Sequence, residues 1–300
     1  MKLATCSSLV YPEIMLSGRH FGILVLMAIA CHGAPSGASV NSSMTEPQKH
    51  GAIFLDNLSV PCPGEVFAAL DKACRPNWAT LVTPATAPVT TERSQLALSV
   101  GVLAANGYIA VKAQDGQQVK NVGRELMSEA KALGVSQSLM GRGNSLMEFA
   151  DNGDWDALAD ELEATENEIK STMIGQKDRD LVTLTSAAAW LRGLEITTGV
   201  VLANEKLQGA GVLRQPELAR ELASRLAALP ERMKNGPLVL RVRQALESSA
   251  ALLENTDPTK TRENFRKIHD DCAAIVKAIL TSTTAKASPP PLPSVTPAKP

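Results

Sequence analysis

Residues 94–111 read SQLALSVGVLAANGYIAV, and residues 181–204 read LVTLTSAAAWLRGLEITTGVVLAN. The first stretch contains no charged residue, and the second contains only Arg192 and Glu195. Both are longer than an ordinary strand, which has about 3–10 residues, and a helix that is apolar on all sides belongs in a protein interior. The two stretches therefore predict two buried helices that decide the fold.

Both stretches carry small residues four positions apart. These are Ala97, Gly101 and Ala105 in the first stretch and Ala189, Gly193 and Thr197 in the second. Small residues on one face let two helix axes approach closely, and the same pattern occurs in membrane dimers. Because a charged pair in mid-helix makes a membrane location costly, we interpret both helices as the core of a soluble domain.

The rest of the chain between residues 61 and 280 has helical periodicity. Gly134 is typical of a helix stop, and Asp154, Pro216 and Pro237 are typical of helix starts. Aromatic residues make up only 3% of the chain, which favours closely packed helices over a β-sandwich. We predict a single all-α domain over 61–280, a bundle of about eight or nine helices around the two apolar ones, with no sheet.

The segment 149–158, FADNGDWDAL, resembles the helix–turn–helix junction of tetratricopeptide repeats. Such arrays repeat about every 34 residues, and no second copy follows at that spacing. The resemblance covers one turn only, so a short solenoid is the alternative to the bundle.

The N-terminal 30 residues have the pattern of a signal peptide. Arg19 precedes the uncharged apolar run Phe21–Ala30, which is followed by Cys31. The run is shorter than the roughly 20 residues that a membrane-spanning helix needs. Met15 is an alternative start, because it places the basic residue close to the apolar run.

Cys31 is a candidate for lipidation. Small residues before a cysteine resemble a bacterial lipobox, although Ala28 stands where that motif usually has Leu. Acyl chains on Cys31 would anchor the protein to a membrane rather than span it. We expect an exported, periplasmic or outer-surface protein, and simple secretion is the alternative.

Two segments flank the predicted domain. Residues 31–60 are rich in Gly, Ser, Asn and Pro over most of their length, and we expect a flexible tether there. Residues 281–300, TSTTAKASPPPLPSVTPAKP, are expected to form a disordered proline-rich tail.

Most sharp chemical motifs are absent. There is no Gly-rich phosphate loop, GxSxG, HExxH or CxxCH sequence, and we expect no cofactor or metal. His269 lies beside Asp270, Asp271 and Cys272, which we interpret as a core cysteine next to solvated carboxylates rather than a metal site. The net charge of −1 gives no reason to expect nucleic acid as a partner.

Cys62 and Cys74 are close in sequence, but residues 63–73 have the pattern of a helix. Twelve steps of about 1.5 Å would place their α-carbons about 18 Å apart, whereas a disulfide tolerates no more than about 7 Å. We therefore predict that the two cysteines are not paired.

Charge is unevenly distributed along the chain. Residues 151–168 hold eight acids and no base, and residues 214–243 hold seven bases against three acids. One interpretation is a pair of recognition patches of opposite sign. The favoured interpretation is that these charges are solvated or paired locally, where each exposed pair contributes about 0–1 kcal/mol.

The main anomaly is the charged pair inside the second apolar helix. Arg192 and Glu195 are three residues apart and share a face, with Trp190 on the next face. Buried charges are tolerated when they are paired, so we expect an internal ion pair that fixes helix register. A small polar ligand site is the alternative, with further groups from the end of the first apolar helix: Lys112, Gln114 and Asp115.

These patterns favour an exported, lipid-anchored helical binding or scaffold protein of the bacterial cell envelope, with an unidentified protein partner there. The alternative is an enzyme or small-ligand-binding protein that uses a buried polar site around Arg192 and Glu195. An enzyme needs a concave pocket that contains Glu195, whereas a scaffold needs an accessible charged or apolar surface.

Overall fold

The computed structural model describes residues 53–55 and 58–281, and most of them are helical. The predicted signal peptide, Cys31 and the proline-rich segment beyond Thr281 lie outside the described residues. Those residues contain the following helices: α1 (Pro63–Cys74), α2 (Arg93–Lys112), α3 (Gly116–Leu133), α4 (Met140–Asn152), α5 (Trp155–Gly175), α6 (Arg179–Ala203), α7 (Pro216–Ala227), α8 (Glu231–Lys234), α9 (Pro237–Glu254) and α10 (Thr261–Leu280). The predicted all-α bundle is confirmed.

A small hairpin precedes the bundle. Strand β1 (Ile53–Leu55) pairs antiparallel with β2 (Leu58–Val60), with Ile53 opposite Val60. The sequence prediction has no sheet and a flexible tether up to residue 60, whereas these six residues are paired strands. Strands of three residues are too short to show a clear alternation of apolar and polar side chains.

Helix ends follow the capping chemistry in the sequence. Gly134 ends α3 with a φ of 81°, a left-handed conformation that suits glycine. Asp154 starts α5, where its carboxylate accepts from the Ala157 amide at 3.2 Å. Pro216 and Pro237 occupy the first turns of α7 and α9.

The core is centred on α2 and α6, which run parallel. Thr185 donates to the carbonyl of Ala97 near their starts, and Arg192 donates to Asn106 further along both helices. At Gly101, an added Cβ would overlap the Thr185 carbonyl oxygen and lie 2.8 Å from the amide nitrogen of Ala189. The absence of a side chain at Gly101 therefore permits the close crossing.

The small-residue pattern of α6 is used differently. A Cβ at Gly193 would have no atom within 4 Å, so this glycine is not part of the α2 crossing. The prediction that both small-residue stripes serve close helix contact is therefore wrong at Gly193, because that position faces a cleft.

Helix α10 packs antiparallel on α6. Near the start of α10, Arg262 donates three hydrogen bonds of 2.9 Å to the carbonyls of Leu202, Asn204 and Glu205, where α6 ends. At the opposite end of α10, Gln95 of α2 donates to the carbonyls of Ile279 and Thr281. Arg262 thus stabilises the C-terminus of the long core helix by satisfying carbonyls there.

Helix α2 alone among the described helices is long and apolar enough to cross a membrane. Its apolar window is wholly buried inside the domain, and residues 94–111 are all buried. Burial of this kind is what a core helix shows, in agreement with the sequence interpretation.

The cysteine prediction is confirmed. Cys62 lies just before α1, Cys74 is its last residue, and the helix between them is regular over 12 residues. Cys62, Cys74 and Cys272 are all free thiols.

Candidate functional site

Arg192 and Glu195 form a buried ion pair on α6. Arg192 Nη1 lies 2.7 Å from Glu195 Oε1, with the two side chains 5% and 12% exposed. Because charges at this depth lose most of their hydration, each depends on the other for stabilisation.

The guanidinium also contacts two other parts of the chain. Its Nε donates to Asn106 Oδ1 of α2 at 2.9 Å, and its Nη2 donates to Thr83 Oγ1 at 3.3 Å. Thr83 belongs to the irregular segment before α2, and its carbonyl accepts a hydrogen bond from Gln118 of α3. We call Arg192, Glu195, Asn106 and Thr83 the Arg192 cluster. The cluster holds this irregular segment against the core helices.

The side chain of Glu195 has fewer hydrogen-bond and ion-pair partners than that of Arg192. Its Oε2 atom is buried without a hydrogen-bond partner. Its backbone carbonyl lies 2.9 Å from His269 Nδ1 of α10; since a carbonyl can only accept, this nitrogen carries the proton. Glu195 thereby links α6 to both the cluster and α10.

The other residues predicted for a ligand site are not gathered there. Lys112 pairs with Asp71 of α1 at 2.6 Å. Gln114 lies in the turn after α2 with a φ of 55°, and Asp115 caps α3 by accepting from the Gln118 amide. Among the described residues, no contact joins residues 112–115 to Arg192 or Glu195, because these residues serve the α2–α3 turn and a separate ion pair; a ligand site that includes them stays a prediction.

Trp190 lines a shallow apolar cleft rather than the Arg192 cluster. The cleft lies between α6, the start of α1 and the short turn at residues 210–213, and neither Arg192 nor Glu195 lines it. Its walls include Pro61, Pro63, Gly193 and Leu213. The charged pair and this cleft are thus separate features.

The 269–272 segment has the arrangement expected from the sequence. Cys272 is completely buried, and burial, more than the nearby Glu195 carboxylate, raises the pKa of its thiol well above the ordinary value. Asp271 pairs with Lys267 at 3.0 Å, and Asp270 is exposed. Among the described residues, no three His, Cys, Asp or Glu side chains are arranged to hold a metal ion.

A second buried ion pair has no counterpart in the sequence predictions. On α5, Lys170 Nζ lies 2.6 Å from Glu166 Oε1, with the side chains 5% and 2% exposed. The pair lies near Cys62 and Tyr108: burial chiefly, and Glu166 next, raise the pKa of Cys62 to about 12 and that of Tyr108 well above its ordinary value. The spacing of four between Glu166 and Lys170 was the available signal, but it lies in an acidic stretch in which Asp151, Asp154, Asp156 and Asp160 are exposed.

Both charged stretches are paired in part, since the ion pairs among the described residues involve three of the eight acids and four of the seven bases. In the acidic stretch, Asp151 pairs with Lys120 and Glu161 with Arg142. The basic stretch contains the following pairs: Arg220 with Glu254, Arg225 with Glu221, Lys234 with Glu231, and Arg243 with Glu247. Pairing therefore accounts for only part of each charged stretch.

Comparisons with known protein families, curated proteins and solved structures find no match to this chain. Its function must therefore be inferred from its own residues. Two observations weigh most: the Arg192 guanidinium contacts side chains of the protein itself, and the cleft beside Trp190 is lined by neither member of the charged pair.

Proposed function

We propose that this protein is an exported helical binding or scaffold protein of the bacterial cell envelope, anchored through acyl chains on Cys31. The observation that supports a scaffold is the separation of the buried charges from the cleft. A catalytic site needs reactive side chains that reach a concave pocket, and Arg192 instead contacts three of the protein's own side chains.

A polar surface is the expected contact region for a protein partner. Val89 is the only exposed large hydrophobic residue in the described part of the chain, so no broad apolar patch is available there. Arg214, Arg232 and Arg241 are exposed and have no ion-pair partner among the described residues. They lie in and around α7–α9, and exposed guanidinium groups without an ion-pair partner favour an acidic partner surface.

Anchoring is tested by metabolic labelling with an alkyne fatty acid. We expect the wild-type chain to take up the label and Cys31→Ser to lose it, because a lipobox cysteine carries the acyl groups. Cys74→Ser is the matched control, since Cys74 is a partly accessible thiol in the domain, and it should keep the label. A wild-type chain that takes up no label and is cleaved after Ala30 or Ala34 would contradict lipid anchoring. Simple secretion would then be the remaining interpretation.

The alternative function is binding of a small polar ligand, or catalysis, at the Arg192 cluster. The observation that favours it is the unpartnered Oε2 of Glu195. Its test is a screen of small cationic and amide metabolites by thermal shift. A compound that raises the melting temperature of the wild type but not of Glu195→Gln would support this alternative over a purely structural ion pair.

A further inference from the structure

Glu129 is a buried carboxylate at the contact between α3 and α2. The residue is 4% exposed, and it faces α2 at Ser99, within the stretch 94–111 that contains no charged residue. Among the described residues, neither Glu129 Oε2 nor Ser99 Oγ has a hydrogen-bond partner at bonding distance. An ionised carboxylate in this position lacks the contacts that normally offset its loss of hydration.

In the described part of the chain, no cation compensates for this burial. The bases at the ends of α2, Arg93 and Lys112, pair with Asp178 and Asp71. The one base of α4, Arg142, pairs with Glu161, and the short turn at residues 136–139 has no charged residue. Within α3, Glu125 lies one turn before Glu129 and adds a repelling charge.

These surroundings raise the pKa of the Glu129 carboxyl. Burial, and after it the Glu125 charge, raises the pKa of Glu129 from 4.5 to about 7, and the polar Ser99 hydroxyl close by opposes the shift without cancelling it. In the unfolded chain the carboxyl returns to its ordinary value. At a pH between the ordinary pKa and the raised pKa, the folded protein therefore keeps a proton on Glu129 that the unfolded chain has released.

We propose that the stability of the α2–α3 contact depends on the protonation of Glu129. The contact is stable when the carboxyl is protonated and is weakened when the carboxyl is ionised. Because the folded-state pKa is the raised one, this stabilisation is complete below about pH 4.5 and is lost as the pH rises through about 7. The inference does not depend on the proposed function, although an exported protein would meet the external pH directly.

The test is urea unfolding of the full chain between pH 5 and pH 8, with Glu129→Gln as the variant. In the wild type, the Glu129 contribution should raise the unfolding equilibrium constant on the order of a hundredfold over this range. Glu129→Gln cannot ionise, so the pH dependence that is due to this carboxyl should disappear from its unfolding constant. At pH 8, where the wild-type carboxyl is ionised, the variant should be more stable than the wild type. Glu148→Gln, an exposed carboxyl on α4, is the control and should follow the wild type.

A second measurement needs no variant to fold. The carboxyl carbon of Glu129 in the wild type, followed by ¹³C NMR, should titrate with a midpoint near neutral pH. A Glu129 midpoint near 4–5 would overturn the proposal. The proposal would also be overturned if the unfolding constant of the wild type, divided by that of Glu129→Gln, were the same at pH 5 and at pH 8.

Discussion

Helices α2 and α6 are similar in sequence but differ in the contacts that they make. Every residue of α2 from 94 to 111 is buried and uncharged, and Gly101 lies against the α6 backbone. Helix α6 carries a buried ion pair, and its Gly193 faces a cleft instead of a helix. Apolar composition thus predicts that a helix is buried, whereas it does not predict which of its faces is packed.

The largest expected effect concerns the charge on α6. Arg192→Met removes the partner of Glu195 and also leaves Asn106 and Thr83 without their hydrogen-bond donor. Because an uncompensated buried charge is destabilising by roughly 3–5 kcal/mol, we expect a loss of that size in the free energy of unfolding. The measurement is denaturant unfolding of the full chain at a fixed pH.

The double variant separates the charge from the packing. Arg192→Met combined with Glu195→Met should be more stable than Arg192→Met alone, since no unpaired charge remains. Arg220→Met is the matched surface control, because its pair with Glu254 is half exposed, and it should change stability by no more than about 1 kcal/mol. An Arg192→Met loss below about 0.5 kcal/mol, the usual range for surface changes, would show that the α6 pair does not behave as buried.

A smaller effect is expected at the α2 crossing. Gly101→Ala places a methyl group onto the Thr185 carbonyl oxygen and close to the Ala189 amide, and backbone atoms cannot rotate away as a side chain can. Overpacking of a core costs about 1–3 kcal/mol, and we expect the upper end because two core helices must separate. Thermal unfolding measures the loss; an unchanged melting temperature would mean that the helices cross elsewhere.

Much of the fold was predictable because the strongest signals are local. The charge-free stretch in α2 predicts burial directly from its composition. The glycine after α3 and the aspartate before α5 predict helix ends because each caps the backbone next to it. The β1–β2 hairpin was missed because a three-residue strand has too little pattern to detect.

The polar interior was predictable only in part. Arg192 and Glu195 stand out because their neighbours in sequence are apolar, so their burial could be expected. Glu166 and Lys170 lie in an amphipathic helix rich in acids, where a charged residue normally faces water. The contacts of Arg192 with Asn106 and Thr83 span 86 and 109 residues of sequence, and no local pattern specifies contacts at that separation.

The smallest effect, of opposite sign, is expected at the glycine of α6. A methyl group at Gly193 has no atom within 4 Å and would extend into the cleft beside Trp190. Alanine is favoured over glycine inside a helix by about 1 kcal/mol, partly because it restricts the unfolded chain. Gly193→Ala should therefore raise the free energy of unfolding by about 0.5–1 kcal/mol, measured beside Gly101→Ala under the same conditions. Destabilisation by both substitutions would show that α6 uses this face for close packing as well, and the contrast between the two core helices would then be lost.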